Sequence, residues 1–169
     1  MSRTDTSAWP CTIARSADVL GDGWNLLIIR QACLGARRFD EFRTALGIGR
    51  NILTQHLNRL VEEGLLAKVP YQERPPRFEY RLTEKGRDVF PILAAMAAWA
   101  DKWLTGPEGT PLVLHHTRCH HDMAAAVVCD QCGERIEVKE VRARRGPGHP
   151  LHDGAASSPR GELEGPPPR

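Results

Sequence analysis

Apolar residues recur at helical spacing through the first hundred positions of the chain. The spacing predicts four helices, over residues 11–20, 24–34, 40–46 and 49–63. The second is apolar on nearly every side, which is typical of a helix inside a core. The fourth has one apolar face, formed by Ile52, Leu53, Leu57, Leu60 and Val61. Gly35, Gly47 and Gly64 follow the last three helices, and glycine is the usual residue after a helix end.

After Gly64 the pattern changes to that of strands. Residues 65–69 and 77–82 are strand-like, and in the second segment apolar and charged residues alternate. The proline-rich and charged residues 70–76 between them predict an exposed hairpin loop. A last long helix is expected from a Thr83 cap to about Leu104, bent near Pro91. This order predicts a mainly α fold with a small β-wing, which is a winged helix-turn-helix.

Composition divides the chain into five parts. Residues 1–10 are polar and predicted to be flexible, 11–104 form the main domain, and 105–111 are a Gly/Pro linker. Residues 112–142 hold three cysteines, and Val127-Val128 and 136–138 are predicted as short strands. Residues 143–169 contain 11 Gly or Pro among 27 residues, so this tail is predicted to be disordered.

Hydrogen-bonding side chains dominate the predicted outer face of the 49–63 helix. They are Arg50, Asn51, Thr54, Gln55, Asn58 and Arg59. Such residues read base edges or hold phosphates. Arg74 and Arg77 of the wing could neutralise phosphates or enter a minor groove, and Arg37 and Arg38 could clamp a phosphate. A polar solvated face would look the same at any one position, but the order of elements favours duplex DNA as the partner.

Charge supports this interpretation weakly. The chain carries a net charge of +2, and residues 24–87 contain twelve Lys or Arg against seven Asp or Glu, a surplus of five positive charges. No apolar run approaches the roughly 20 residues of a membrane span, and no secretory signal opens the chain, so we expect a cytoplasmic location with reduced thiols. Neither a catalytic triad, nor paired carboxylates, nor a phosphate-binding glycine loop is recognisable, so we do not expect an enzyme.

Several motifs of the main domain resemble those of the HxlR-type regulators. They are Cys11-x-Ile-Ala-Arg-x-x-Asp-Val-Leu-Gly-Asp-Gly-Trp24, Arg37-Arg-Phe-Asp-Glu-Phe42, Leu53-Thr-Gln-His-Leu-Asn-Arg-Leu60, Glu63-Gly-Leu-Leu66 and Tyr80-Arg-Leu-Thr-Glu-Lys-Gly86. The resemblance covers residues 11–104. It implies a DNA-binding and dimerisation domain, a homodimer built by the terminal helices, and action on promoters of nearby genes. We favour a repressor, and activation stays open. A winged helix that contacts protein instead of DNA stays open as an alternative.

Cys11 occupies a position of interest in this comparison. Several HxlR-type regulators sense oxidants or electrophiles through a cysteine at the start of the first helix, and Cys11 stands there. The positive end of the helix dipole favours a thiolate at such a position. Redox or electrophile sensing is therefore one interpretation of Cys11, and simple packing is the other. Cys33, within the most apolar helix, is interpreted as a packing residue.

The segment 112–142 carries a set of metal-ligand residue types. Cys129-x-x-Cys132-Gly133 has the spacing of half a zinc ribbon. Cys119 is the expected third ligand, with His116 as the fourth and His121 as its alternative. The sequence thus predicts one structural zinc ion in a small β-hairpin, zinc-ribbon-like segment. A redox dithiol, as in a thiol oxidoreductase, and a hairpin without metal stay open.

Overall fold

The molecule is described here by a computed structural model covering residues 9–144 and 146–148. The main domain contains α1 (Thr12–Leu20), α2 (Gly23–Cys33), α3 (Phe39–Leu46), α4 (Arg50–Glu62), β1 (Leu66–Gln72), β2 (Arg77–Leu82), α5 (Glu84–Arg87) and α6 (Phe90–Trp103). The C-terminal segment contains β3 (Leu114–His116), β4 (His121–Met123) and a short 3-10 helix, Val138–Glu140. Most of the predicted flexible N-terminus and of the predicted disordered tail lies outside the described residues. None of the described helices combines the length and apolar character needed to cross a membrane.

One apolar core joins α2, α3, α4 and the start of β1. Its fully or almost fully buried side chains are Ile28, Ile29, Phe42, Leu53, Leu57, Leu60, Leu65 and Leu66. Complete burial of one such side chain stabilises the fold by roughly 1.5–3 kcal/mol, so these contacts set the relative positions of the three helices. The predicted apolar face of α4 was wrong at Ile52, which is 44% exposed.

A buried polar cluster holds α1, α2 and α4 together. Asn25 on α2 is fully buried, and its Nδ2 donates to the carbonyl oxygen of Val19 at 2.8 Å. The Oδ1 of Asn25 lies 2.8 Å from Nδ1 of His56 on α4. Because a carbonyl oxygen only accepts, His56 Nδ1 carries the proton and donates it. The cluster fixes the orientation of α4 relative to the first two helices.

The connection between α3 and α4 is a tight turn. Gly47 ends α3 with φ 61°, a left-handed conformation that glycine adopts without the steric cost other residues have. Ile48 follows and is buried, and Gly49 is the N-cap of α4. The buried Ile48 anchors the turn to the core, so α3 and α4 form a rigid helix-turn-helix.

The wing is an antiparallel hairpin of β1 and β2. Its register pairs Leu66 with Leu82 and Lys68 with Tyr80. The extended segment directly before α3 is hydrogen-bonded to this hairpin. The Tyr80 N–H donates to the Arg37 carbonyl oxygen at 2.7 Å, and Arg38 forms an antiparallel β-bridge with Glu79. Arg37 and Arg38 are therefore part of the wing sheet.

The predicted single helix over 83–104 was wrong, since the chain forms α5 and α6 there. Thr83 caps α5 as expected, with its hydroxyl oxygen accepting from the Gly86 N–H. Pro91 stands in the first turn of α6. Its ring has no N–H for the Arg87 carbonyl oxygen and clashes with it, so the helix is interrupted between Arg87 and Phe90 where we expected only a bend.

The C-terminal segment differs from the prediction in its strands. Near Val127-Val128 only a Val128–Arg135 bridge forms, and the predicted strand 136–138 runs into the 3-10 helix. Residues 114–116 and 121–123, where no strands were predicted, instead pair as the β3–β4 hairpin. No residue from 112 to 144 is buried, so the segment has no apolar core of its own within this chain.

Candidate nucleic-acid interface

One side of α4 is exposed and polar. Asn51, Thr54, Gln55 and Asn58 are all exposed and lie opposite the buried Leu53, Leu57 and Leu60. The Thr54 hydroxyl donates to the Arg50 carbonyl oxygen at 2.9 Å. The amide side chains beside it offer both donors and acceptors, which is what recognition of a base-pair edge requires.

Ile52 adds an apolar group near this face, and sequence reasoning missed it. Its 44% exposure in the first turns of α4 leaves a branched side chain open to a partner. In a major groove the methyl group of thymine is the natural contact for such a side chain. The signal available in the sequence was that Ile52 lies about 100° from Leu53 around the helix, at the edge of the apolar stripe.

A cleft of about 550 Å³ separates the start of α4 from the wing. Arg38, Arg50 and Arg77 line it, together with aromatic residues of α3 and both strands. The Arg38 guanidinium lies 4.7 Å from the centroid of the Tyr71 ring, and that of Arg50 lies 5.4 Å from Phe39. The three arginines were predicted from the sequence, but the aromatic rings that contact Arg38 and Arg50 were not. Aromatic faces attract and orient guanidinium groups, so the cleft presents cations in set positions.

Acidic residues at the same cleft are already partnered. The Glu41 carboxylate accepts the backbone N–H groups of Arg37 and Arg38 at 2.7 and 3.0 Å, which lowers the pKa of Glu41. Asp40 pairs with Arg43 at 3.3 Å. These contacts take up much of the hydrogen-bonding capacity of the two carboxylates, so the carboxylates compete less for the guanidinium groups that line the cleft.

Glu79 orients Arg38 from the wing. Its carboxylate lies 2.9 Å from Arg81 Nη2 and 3.5 Å from Arg38 Nε. The hydrogen bond from Arg81 is the main reason that the pKa of Glu79 is lowered. Arg38 is thus held between Glu79 and Tyr71, with its side chain still about half exposed.

The remaining predicted DNA-contact residues fall into two groups. Arg37, Arg74 and Arg77 are exposed, and the last two lie at the tip of the wing. Arg59 is instead half-buried and directed toward α1, where its Nη2 donates to the backbone carbonyl oxygen of Asp18 at 2.9 Å. The structure therefore places Arg38, Arg50 and Arg77 around one cleft. Arg37 lines a separate cleft beside Arg81, and Arg59 lies at a contact between helices.

A second exposed surface is apolar and lies on α6. Ile92, Met96, Trp99 and Trp103 follow one stripe of this helix and are between 47 and 63% exposed. Ile13 on α1 is 74% exposed, and α1 buries none of its residues. We call these five side chains the α1–α6 surface. The four α6 side chains follow one another along a single helix face, and monomeric proteins rarely expose large contiguous apolar patches.

The cysteines occupy distinct environments. Cys11 is exposed and is the N-cap residue of α1. Cys33 is partly buried at the end of α2, and burial raises the pKa of its thiol.

In the C-terminal segment His116 Nδ1 lies 3.2 Å from Cys119 Sγ. Cys129 accepts hydrogen bonds from the backbone of Cys132 and Gln131, and these lower its pKa. Among the described residues, no three His, Cys, Asp or Glu side chains converge into a metal-binding group.

Comparison with known proteins agrees with this architecture. The family profile described as HxlR-like helix-turn-helix matches residues 19–108. The helix-turn-helix-type transcriptional regulator Rv3095 of Mycobacterium tuberculosis is 42% identical over 137 residues, which cover 81% of this chain and 87% of the relative. The crystal structure of PA1607, described as a transcription factor, superposes with a TM-score of 0.77 at 36% identity, covering 85% of this chain and all of that one.

A third similarity covers a shorter part of the chain. The redox regulator HypR in its reduced form is 32% identical with a TM-score of 0.51, covering 54% of this chain and 92% of that one. The similarities to Rv3095 and PA1607 cover a larger share of the chain, 81% and 85%. The family match spans more than half of the chain and includes the helix-turn-helix and the wing. The chain is therefore a winged helix-turn-helix transcriptional regulator that belongs to the HxlR-like family.

Proposed function

We propose that this chain binds duplex operator DNA, with α4 in the major groove and the wing on the adjacent backbone. The observation that carries the proposal is the exposed face of Asn51, Thr54, Gln55 and Asn58 directly beside the arginine cleft. Asn and Gln amides pair with the N6 and N7 atoms of adenine through two hydrogen bonds. These side chains supply the sequence preference.

The arginines supply affinity that depends little on sequence. Arg38, Arg50 and Arg77 face a common cleft, and a phosphate group seated at its mouth would meet all three guanidinium groups. Arg74 at the wing tip reaches a further phosphate or a minor groove. Arg37 adds a further positive charge from the segment before α3, which is hydrogen-bonded to the wing.

The functional unit in this proposal is a homodimer formed through the α1–α6 surface. The exposed Trp99 and Trp103 are the kind of large apolar side chain that forms the centre of stable interfaces. A two-fold axis places two α4 helices on one side of the dimer, so the operator has two half-sites about 34–36 Å apart. Occupancy of such a site in the cytoplasm would repress transcription of the adjacent gene.

The test is DNA binding on the region upstream of the chain's own gene. DNase footprinting should reveal a protected segment with two-fold sequence symmetry. Affinity for this segment should fall steeply as salt rises, because phosphate contacts release counterions. A protein that protects no segment, and that binds DNA no better at low salt, would refute the proposal in favour of a protein-binding winged helix.

A second candidate function is redox control of the same binding, through Cys11. Two observations favour it: Cys11 is exposed at the N-terminus of α1, and one structural neighbour is the redox regulator HypR. Oxidation or alkylation there adds bulk next to the α1–α6 surface. The relevant measurement is operator affinity before and after treatment with diamide or a quinone.

A further inference from the structure

Two turns of the C-terminal segment share one backbone form. In the first, the His120 N–H donates to the His116 carbonyl oxygen at 2.8 Å, and His120 has φ 58°. In the second, the Gly133 N–H donates to the Cys129 carbonyl oxygen at 2.9 Å, and Gly133 has φ 76°. In both turns two candidate ligands therefore stand three positions apart in the chain. A residue with left-handed backbone conformation follows directly after the second ligand.

The candidate ligands hold equivalent positions in the two turns. In the first turn His116 Nδ1 is 3.2 Å from Cys119 Sγ. In the second turn Cys129 and Cys132 take the corresponding positions, on either side of the turn closed by the Gly133 N–H and the Cys129 carbonyl oxygen. Two ligands held three residues apart on a tight turn are the half-site of a zinc ribbon, which needs two such turns to surround one ion.

The segment also lacks another source of folding energy in this chain. Val127, Val128 and Ile136 beside the second turn are between 47 and 60% exposed, and no residue from 112 to 144 is buried. Segments of this size rarely fold on apolar burial alone, and a structural metal is a common substitute.

We propose that His116, Cys119, Cys129 and Cys132 bind one Zn²⁺ ion that joins the two turns. In the structure each turn offers two ligands, and no three such side chains converge among the described residues, so binding must draw the turns together. Cys119 and Cys129 are ten positions apart, a reach of about 33 Å when extended. The chain between them can therefore fold back and bring both pairs to one ion.

The geometry selects His116 over His121 as the fourth ligand. His116 occupies the place in the first turn that Cys129 occupies in the second. His121 has its Nδ1 2.6 Å from the Cys119 carbonyl oxygen, outside the repeated pattern. Three thiolates and one imidazole complete a tetrahedral zinc site and leave no open position, so the ion is structural.

The test is metal analysis of the full-length chain purified under reducing conditions. We expect about one zinc per chain, lost to background in both His116→Ala and Cys129→Ser, one substitution in each turn. The matched control, His121→Ala, should keep its zinc. Replacement by Co²⁺ should give the absorption of a tetrahedral thiolate site in wild type and in His121→Ala only. Operator binding and the thermal transition of the main domain verify that each variant has folded.

Three results would overturn the proposal. The first is zinc retained in His116→Ala and Cys119→Ser but lost in Cys129→Ser, since the turns would then not share an ion. The second is zinc lost in His121→Ala and kept in His116→Ala. The third is fully reduced wild-type protein, with all five thiols free, that takes up no zinc. None of these results bears on the winged helix, so the DNA-binding proposal is tested separately.

Discussion

Arg59 on α4, the helix that we propose reads DNA, is bound to Asp18 on α1. Its Nη2 donates to the Asp18 carbonyl oxygen at 2.9 Å and lies 3.4 Å from the Asp18 carboxylate. The Arg59 side chain is about one third exposed, so solvent screens the ion pair only in part. Together with the Asn25–His56 contact, this link joins α4 to the helix that carries Cys11 at its start.

Replacing Arg59 with Ala should therefore lower stability. A partly exposed, charge-assisted hydrogen bond is worth roughly 1 kcal/mol, and chemical denaturation should show a loss of that size. Gln55→Ala is the control, because Gln55 is exposed on the same helix and should leave stability unchanged. An Arg59→Ala protein that is as stable as wild type but fails to bind its operator would make Arg59 a DNA contact after all.

The wing arginines should affect all DNA sequences alike. Arg74→Ala and Arg77→Ala each remove one exposed cation, so each should reduce the slope of log affinity against log salt by about 1 if it meets one phosphate. Operator and unrelated DNA should weaken by similar factors. A loss limited to the operator would instead indicate base recognition by the wing, which fluorescence anisotropy titrations at several salt concentrations would reveal.

The α1–α6 surface should control assembly. Trp103→Glu introduces a charge into the exposed stripe of α6 and should convert a dimer into a monomer at micromolar concentration, as seen by analytical ultracentrifugation. Asp101→Lys changes an exposed charge beside the stripe without removing apolar area or the contact of Lys102 with the Trp103 ring, and should remain dimeric. If wild type itself sediments as a monomer and still binds a two-fold operator tightly, this interface is wrong.

The sequence predicted the main domain well because its elements are local. Periodicity located α2, α3, α4 and the wing to within a residue or two at most ends, and glycines marked the turns. It could not show that Arg59 pairs with Asp18, because that contact joins residues 41 positions apart. Nor could it show that Ile52 is exposed, because that exposure depends on how α4 packs against the core. At Pro91 the sequence predicted a bend and the structure has a break, because the effect of a proline on a helix depends on where that helix starts.

Cys11→Ser should abolish any response of operator binding to diamide or quinones while leaving basal affinity unchanged. The exposed thiol at the start of α1 is accessible to such reagents. Cys33→Ser is the control and should keep the response, because burial raises the pKa of the Cys33 thiol and so disfavours the reactive thiolate. Wild-type protein that binds its operator equally well before and after treatment would refute a sensing role for Cys11.

The most direct test of the account is the operator affinity of an Asn51→Ala, Gln55→Ala, Asn58→Ala triple variant. All three side chains are exposed, so the variant should match wild type in thermal stability and in weak binding to unrelated DNA. One lost bidentate base contact costs about 1–3 kcal/mol, so operator affinity should fall at least roughly fivefold. Unchanged operator affinity in this folded variant would contradict the assignment of α4 as the helix that reads DNA.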